Sequence, residues 1–433
     1  MVRWPAVSVF TGVLLLTAPS PARGQTIGRP PAGSTAGDAL YDLLLQGVAG
    51  SSNQAAGFQA IFRDQLMTFP LASSAGGFSW TFDPTLGVLV RHSRSFGPMF
   101  AERPLTSGRR KANVSVAYQR TRFDSISGQP LRALATGTDG SNFTARSTTA
   151  LDLTTENTIL TVSYGLASRV DVGLVLPFGR TTVEGTSTNF IRSPVTGVTF
   201  EDSTYVVDSS SSGVADITLR GKVWFLATPP LDLGASVDLR LPLGDDQWRD
   251  KPDGRPYEGC VGNGCSHQTA GNKLLGVGHT QTKILLLGAV KAGRFSPHFN
   301  VGYTFGGSGP HFEPIIFEGY VDLNRSQPPN EINYTAGVDV AVSDRLTIAA
   351  DMVGRTLRDS IKLDYGTRLA GNPPQPFTGF VVASRNVRLL LGAVSGKVNI
   401  GGLWLINGSV LFALNDEGVS PGVTPVIGLE RAF

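Results

Sequence analysis

The chain has no run of about 20 apolar residues, so it offers no candidate transmembrane helix. Only two cysteines and five histidines occur in 433 residues, which excludes a disulfide-dense scaffold and leaves little for a metal site. His92, His267, His279, His298 and His311 show no short-range ligand spacing such as two residues one helical turn apart. A Gly-x-Ser-x-Gly elbow is missing, and so is a phosphate-cradling Gly-Lys-Ser/Thr loop. His298 and Ser296 flank a short turn, a proximity that makes no hydrolase by itself. No cofactor and no metal is expected, and the chain does not read as an enzyme. It also lacks a charge excess, with 37 basic residues against 34 acidic ones. That balance argues against the basic face of a nucleic-acid binder.

Residues 1–24 are expected to form a signal peptide. Arg3 supplies the positive start, Val7 to Ala18 is mostly apolar, and Ala22-Arg23-Gly24 offers small residues for cleavage. The apolar run is about a dozen residues, too short for a retained membrane helix. Losing Arg3 and Arg23 leaves 35 basic residues against 34 acidic ones, a net charge of about +1. In an exported chain, Cys260 and Cys265 are expected to close a small Gly-rich ring as a disulfide.

What the chain has in quantity is alternation. Ile217, Leu219, Val223 and Phe225 alternate with Asp216, Thr218, Arg220 and Lys222. Past Thr228-Pro229-Pro230, Leu231, Leu233, Ala235, Val237, Leu239 and Leu241 alternate with Asp232, Ser236, Asp238 and Arg240. Period two over ten or more residues means one apolar and one polar face. Soluble strands average about half that length, whereas a tilted membrane strand needs roughly 9–11 residues. The fold expected is an all-β, antiparallel up-and-down transmembrane barrel over residues 110–433. About 12 strands, within a range of 10–14, are expected at 110–123, 153–164, 169–178, 215–226, 231–242, 281–291, 296–306, 331–341, 345–356, 385–395, 402–414 and 422–433. Short turns alternate with long loops near 124–152, 179–214, 243–280, 307–330 and 357–384, which puts both termini in the periplasm of a bacterial outer membrane. Phe178, Phe305 and Tyr334 at the long-loop ends, and Tyr164, Phe225 and Phe433 at the short-turn ends, suit two interfacial girdles.

Residues 25–109 do not read as barrel. Ala39 to Val48 and Ala55 to Met67 carry short helical periodicity, and Phe78 to Val90 could add a strand. The segment is either a periplasmic extension or a plug in the lumen.

Tyr164-Gly-Leu-Ala-Ser-Arg-Val-Asp-Val-Gly-Leu-Val-Leu-Pro177 resembles a hairpin of the outer-membrane family named for the phenol-degradation meta-pathway. Gly213-Val-Ala-Asp216-Ile-Thr-Leu-Arg-Gly-Lys222 with Leu241-Pro-Leu-Gly244 is similar to its next hairpin, although Ala215 departs from the usual glycine. Ser95-Phe-Gly-Pro-Met-Phe-Ala-Glu-Arg-Pro-Leu-Thr106 resembles its lead-in, and Gly428-Leu-Glu-Arg-Ala-Phe433 a terminal strand read by the barrel-assembly machinery. The resemblance implies an outer-membrane barrel that passes small organic, aromatic or hydrophobic compounds.

If apolar residues face lipid, the lumen is lined by Asp216, Thr218, Arg220, Lys222, Asp232, Ser236, Asp238 and Arg240. Asn300, Thr304, Asn333, Thr335, Asp339, Thr347 and Asp351 join them from later strands. Two functions fit. One is a channel or transporter passing small organic compounds through a polar lumen. The other is a non-conducting surface barrel whose external loops bind a partner. The partners expected are membrane lipid, the assembly machinery that reads Phe433, and a small molecule.

Overall fold

A computed structural model of the protein describes residues 26–433 apart from 31, 49–51, 68, 71–76, 84–87, 92, 141–142, 245–272, 308–310, 318–319, 327–328, 359, 361, 371–374 and 385. The leader and the Cys260/Cys265 ring lie outside the described residues.

Twelve antiparallel strands close into one barrel. They are β1 (Ala112–Ile126), β2 (Thr144–Ala167), β3 (Val170–Arg192), β4 (Ile217–Thr228), β5 (Leu231–Leu241) and β6 (Gln281–Val290). The second half comprises β7 (Phe295–Phe305), β8 (Asn330–Ser343), β9 (Leu346–Arg358), β10 (Val387–Gly401), β11 (Trp404–Ala413) and β12 (Thr424–Ala432). Each strand pairs with its chain neighbours, and β12 closes on β1 through pairs such as Val426 with Gln119. All twelve expected strands are present. Across β4 and β5, Arg220 faces Asp238, Leu219 faces Leu239 and Val223 faces Ala235. A bulge at Phe225 then absorbs one residue before the turn.

The exposed and covered faces are inverted relative to a water-soluble barrel. Leu219, Val223, Val237, Leu239, Ile284, Leu286, Val301 and Ile348 are exposed, while Lys222, Asp232, Ser236, Asp238, Asn300 and Asp339 are buried. Only a hydrocarbon surrounding rewards that arrangement. Slipping one strand by a residue would place an Arg or Lys in lipid at roughly 2–4 kcal/mol each. Tyr164, Phe178, Phe225, Phe305 and Phe433 are exposed on the outer face, as girdle aromatics should be. Tyr334 lies half-buried on the same face, its ring over Gly354.

The expected loops 124–152 and 179–214 are largely strand, which corrects the sequence reading. β2 has 24 residues and β3 has 23, twice what the bilayer requires. Tyr118, Thr158, Phe178 and Val214 align across the wall. Beyond that line the outward residues turn polar, with Arg180, Glu184 and Thr188 exposed on β3. Residues 144–157 of β2 therefore extend the wall by roughly 45 Å of strand outside the membrane. Water on the outer face removes the apolar half of the alternation, so these stretches read as loop. The strand Thr199–Val214 continues β4 upward against β3. The hairpin Lys362–Ala370/Gln375–Ser384 joins the same outer sheet by pairing Phe377 and Thr378 with Thr138 and Gly137. The strands His311–Phe317 and Tyr320–Ser326 pair as a separate two-stranded sheet.

Two helices stand apart from the wall. Helix α1 (Ala36–Gly47) starts at a capping box in which Thr35 and Asp38 exchange side-chain-to-backbone bonds. Helix α2 (Ser52–Met67) follows. Ala36, Ala39, Leu40, Leu43 and Leu44 bury against Phe62 and Leu66 and against Leu151, Leu153, Val183 and Val207 of the outer strands. Those wall residues belong to the inward-facing set. Residues Trp80–Asp83 and Val88–Arg91 form a short hairpin, and Thr26–Gly28 pairs in parallel with Ser203–Tyr205 near the outer rim.

Candidate functional site

In the short-turn half of the barrel, the segment before β1 meets inward-facing wall groups on several strands. Asp171 accepts from the Ser107 backbone N–H at 2.7 Å and from Ser107 Oγ at 3.1 Å. Thr106 Oγ1 donates to Ser168 O at 2.9 Å. Glu102 receives Arg220 Nη1 at 2.5 Å and Lys222 Nζ at 3.3 Å, while Arg220 also grips Asp238 through two bonds of 2.6 Å. The Glu102 backbone N–H donates to Asn300 Oδ1 at 2.8 Å, and Asn300 Nδ2 returns a 2.7 Å bond to Glu102 O. Phe96 N–H donates to Thr347 Oγ1 at 2.9 Å, and Lys397 reaches Phe96 O. Buried charges require such partners, and breaking one partner out typically costs about 3–5 kcal/mol. The stretches that carry the family resemblance, 95–106, 164–177 and 213–222, are thus in contact with one another.

Nearer the rim, Ala36 N–H donates to Ser211 Oγ at 2.9 Å. Tyr205 donates to Asp42 at 3.2 Å; burial, then the Asp42 charge, holds the phenol above its ordinary range. Gly47 closes α1 against the wall, where a Cβ would lie 1.8 Å from Thr149 Oγ1.

Between these two levels lies a cavity of about 220 Å³. Met67, Phe69 and Pro70 bound it from one end, Phe100 and Glu102 from the other. One side is polar, formed by Asp216, Thr218, Arg220, Asp238, Arg240, Gln281, Lys283, Asn300, Thr304, Glu331, Asn333 and Thr335. The opposite side is apolar, with Val353, Leu389, Leu391 and Ala413. That apolar strip continues as Ala117, Ala393, Leu411 and Val426, with Met99 of the N-terminal segment packed against it.

Nine of the fifteen expected lumen residues line this chamber: Asp216, Thr218, Arg220, Asp238, Arg240, Asn300, Thr304, Asn333 and Thr335. The other six are buried elsewhere on the inner face. Lys222 and Thr347 hold the N-terminal segment, as described above. Asp232 pairs with Lys291 at 3.1 Å, and Ser236 lies buried on β5. His298 joins Asp339 and Asp351, its Nδ1 lying 3.1 Å from Asp339 Oδ1 and its Nε2 2.7 Å from Asp351 Oδ1. Asp216 does more than line the wall. It takes Arg240 Nε at 3.1 Å and the backbone N–H groups of Gly244 and Val277 at 3.1 and 2.8 Å.

The inner apolar strip is what the sequence reading missed, since a uniformly polar lumen was expected. Its signal was the run Leu389-Leu390-Leu391, apolar on both faces of one strand.

An apolar-belted barrel with the start of β1 and the end of β12 at the short-turn side and a chamber inside is an outer-membrane β-barrel. Residues 134–252 match the family described as the MetA-pathway of phenol degradation. No curated protein matches the chain. Among solved structures the chain is similar to an outer-membrane channel from Pseudomonas putida, at 12% identity and a TM-score of 0.43 over 75% of this chain and 96% of that one. It is also similar to the P. putida toluene transporter TodX, at 10% identity and 0.32 over 77% and 93%. A Pseudomonas aeruginosa FadL homologue gives 11% and 0.31 over 75% and 90%.

Proposed function

We propose that the protein is an outer-membrane channel passing small organic compounds, aromatic ones among them, and that residues 26–111 plug its lumen. The amphipathic chamber carries this reading. Part of the apolar strip seats Met99 and Phe100 of the N-terminal segment, and the rest stays open to the chamber, where a ligand with apolar and polar parts finds both surfaces. The chamber charges are neutralised in pairs, so the polar wall presents hydrogen-bonding groups without a net field. The family match, with its link to phenol breakdown, supports the aromatic part. A barrel that binds an external partner without conducting is the second reading, and the buried ion pairs on Glu102 favour it by holding the segment in place.

Single-channel conductance in planar bilayers separates the two. The intact protein is expected to conduct weakly, and a variant lacking residues 26–107 to conduct several times more. A truncated barrel that folds by heat-modifiable migration yet passes neither ions nor phenol into liposomes would sink the channel reading.

A further inference from the structure

The ceiling of the chamber is the C-terminal end of α2. Arg240 on β5 donates from Nη2 to Met67 O at 2.7 Å, and Arg355 on β9 donates from Nη2 to Gln65 O at 2.7 Å. A helix ends in carbonyls that lack intrahelical partners and carry partial negative charge. Helix α2 has no basic residue in its last turn, so the wall supplies the cations that the helix lacks. Both guanidinium groups also face the chamber, Arg240 from the polar side and Arg355 from beside Val353 and Leu389, its register partner.

A guanidinium presents five donors in a planar fork, and a carboxylate matches two of them at once. Arg240 keeps Asp216 on its Nε at 3.1 Å and Arg355 keeps Glu331 4.0 Å from its Nη1, so a ligand carboxylate competes with the neutral helix carbonyls for the two Nη2 donors alone, and there it wins on charge. We propose that the chamber binds a small aromatic or aliphatic carboxylate. Its apolar body lies on Val353, Leu389 and Leu391, and its head takes Arg240 and Arg355 from α2. The helical cap is thereby unlatched, while Glu102 and Ser107 keep the lower segment pinned. This deepens the channel reading and rests on it. Size permits it, because cavities of about 150 Å³ already take benzene.

The test uses full-length protein with Cys260→Ser and Cys265→Ser, and benzoate and toluene as probes of equal bulk. A nitroxide on Gln46→Cys, at an exposed position of α1, reports cap mobility. A second variant, Gly47→Cys with Thr149→Cys, locks the cap. A Cβ at position 47 lies 3.1 Å from Thr149 Cβ, close to the roughly 3.8 Å of a disulfide. Benzoate is expected to mobilise the label at concentrations roughly ten- to a hundredfold below toluene, the worth of a charge-assisted hydrogen bond. It is expected to raise conductance in the reduced lock variant and not in the oxidised one. Equal potency of toluene, or benzoate-stimulated conductance that survives oxidation, would overturn the proposal. Label mobilised by benzoate without conductance in any form leaves the site standing and removes the channel. Conductance without a benzoate-specific change of the label does the reverse.

Discussion

Gly337 shows how narrowly the inner wall is set at the level of single residues. His298, Gly337 and Asp351 lie in one lateral row across β7, β8 and β9, and the His298–Asp351 bond passes over the glycine. A Cβ at Gly337 would stand 2.3 Å from Asp351 Oδ1 and 2.7 Å from His298 Nε2. Gly337→Ala should therefore part the two side chains and destabilise the barrel by about 1–3 kcal/mol, since a buried charged group loses its partner. Gly221, whose Cβ would meet nothing within 4 Å, is the control, and Gly221→Ala should be neutral. Urea-unfolding midpoints by heat-modifiable migration check both, and equal behaviour would refute the argument. Individual wall residues were legible because charge cannot face hydrocarbon, which fixed the inward side of Arg220 and Asp238. What each one touches was not legible. Asp216 reads as a lining residue, yet it ties down Gly244 and Val277, because loop contacts leave no periodic trace in sequence.

Among the elements, the terminal strand carries the clearest consequence. Phe433 stays exposed on the outer face, with the Arg431 guanidinium 4.7 Å from its ring centroid and 4.9 Å from that of Trp404. Its backbone closes the seam by exchanging bonds with Ala112. Deleting Phe433 is expected to lower the yield of assembled protein in cells several-fold, while protein refolded in detergent reaches the heat-modifiable form almost as well. Equal yields in cells would remove the role of Phe433 in assembly. The twelve lipid-crossing elements were legible because lipid on one side imposes period two. The outer strands were not, since Thr and Ser serve both faces once water replaces lipid, as in residues 179–192 of β3. The helices α1 and α2 were visible from their periodicity, but nothing in an amphipathic pattern says which partner it buries against.

For the whole molecule, the orientation follows from the lengths of the connections. The tip at 193–198, where Val195 is 80% exposed, should point away from the cell, and the turn at Asp344 toward the periplasm. Val195→Cys is expected to react with a membrane-impermeant maleimide on intact cells, and Asp344→Cys only after the outer membrane is permeabilised. The opposite result would invert the barrel. The girdles and turn lengths made this orientation legible, whereas the height of the outer wall was hidden in its polar strands.

Thr26–Gly28 pairs beside Ser203–Tyr205, far above the girdle line, although β1 begins at the opposite rim. The chain thus traverses the full height of the protein before its first wall strand starts. With the proposed plug in the lumen, drawing the ring around that segment spares it a passage through a finished ring. The seam between β12 and β1 joins the last strand made to the first. That order of synthesis leaves the cylinder open until its contents are in place, and makes the final strand the stave that shuts the cask.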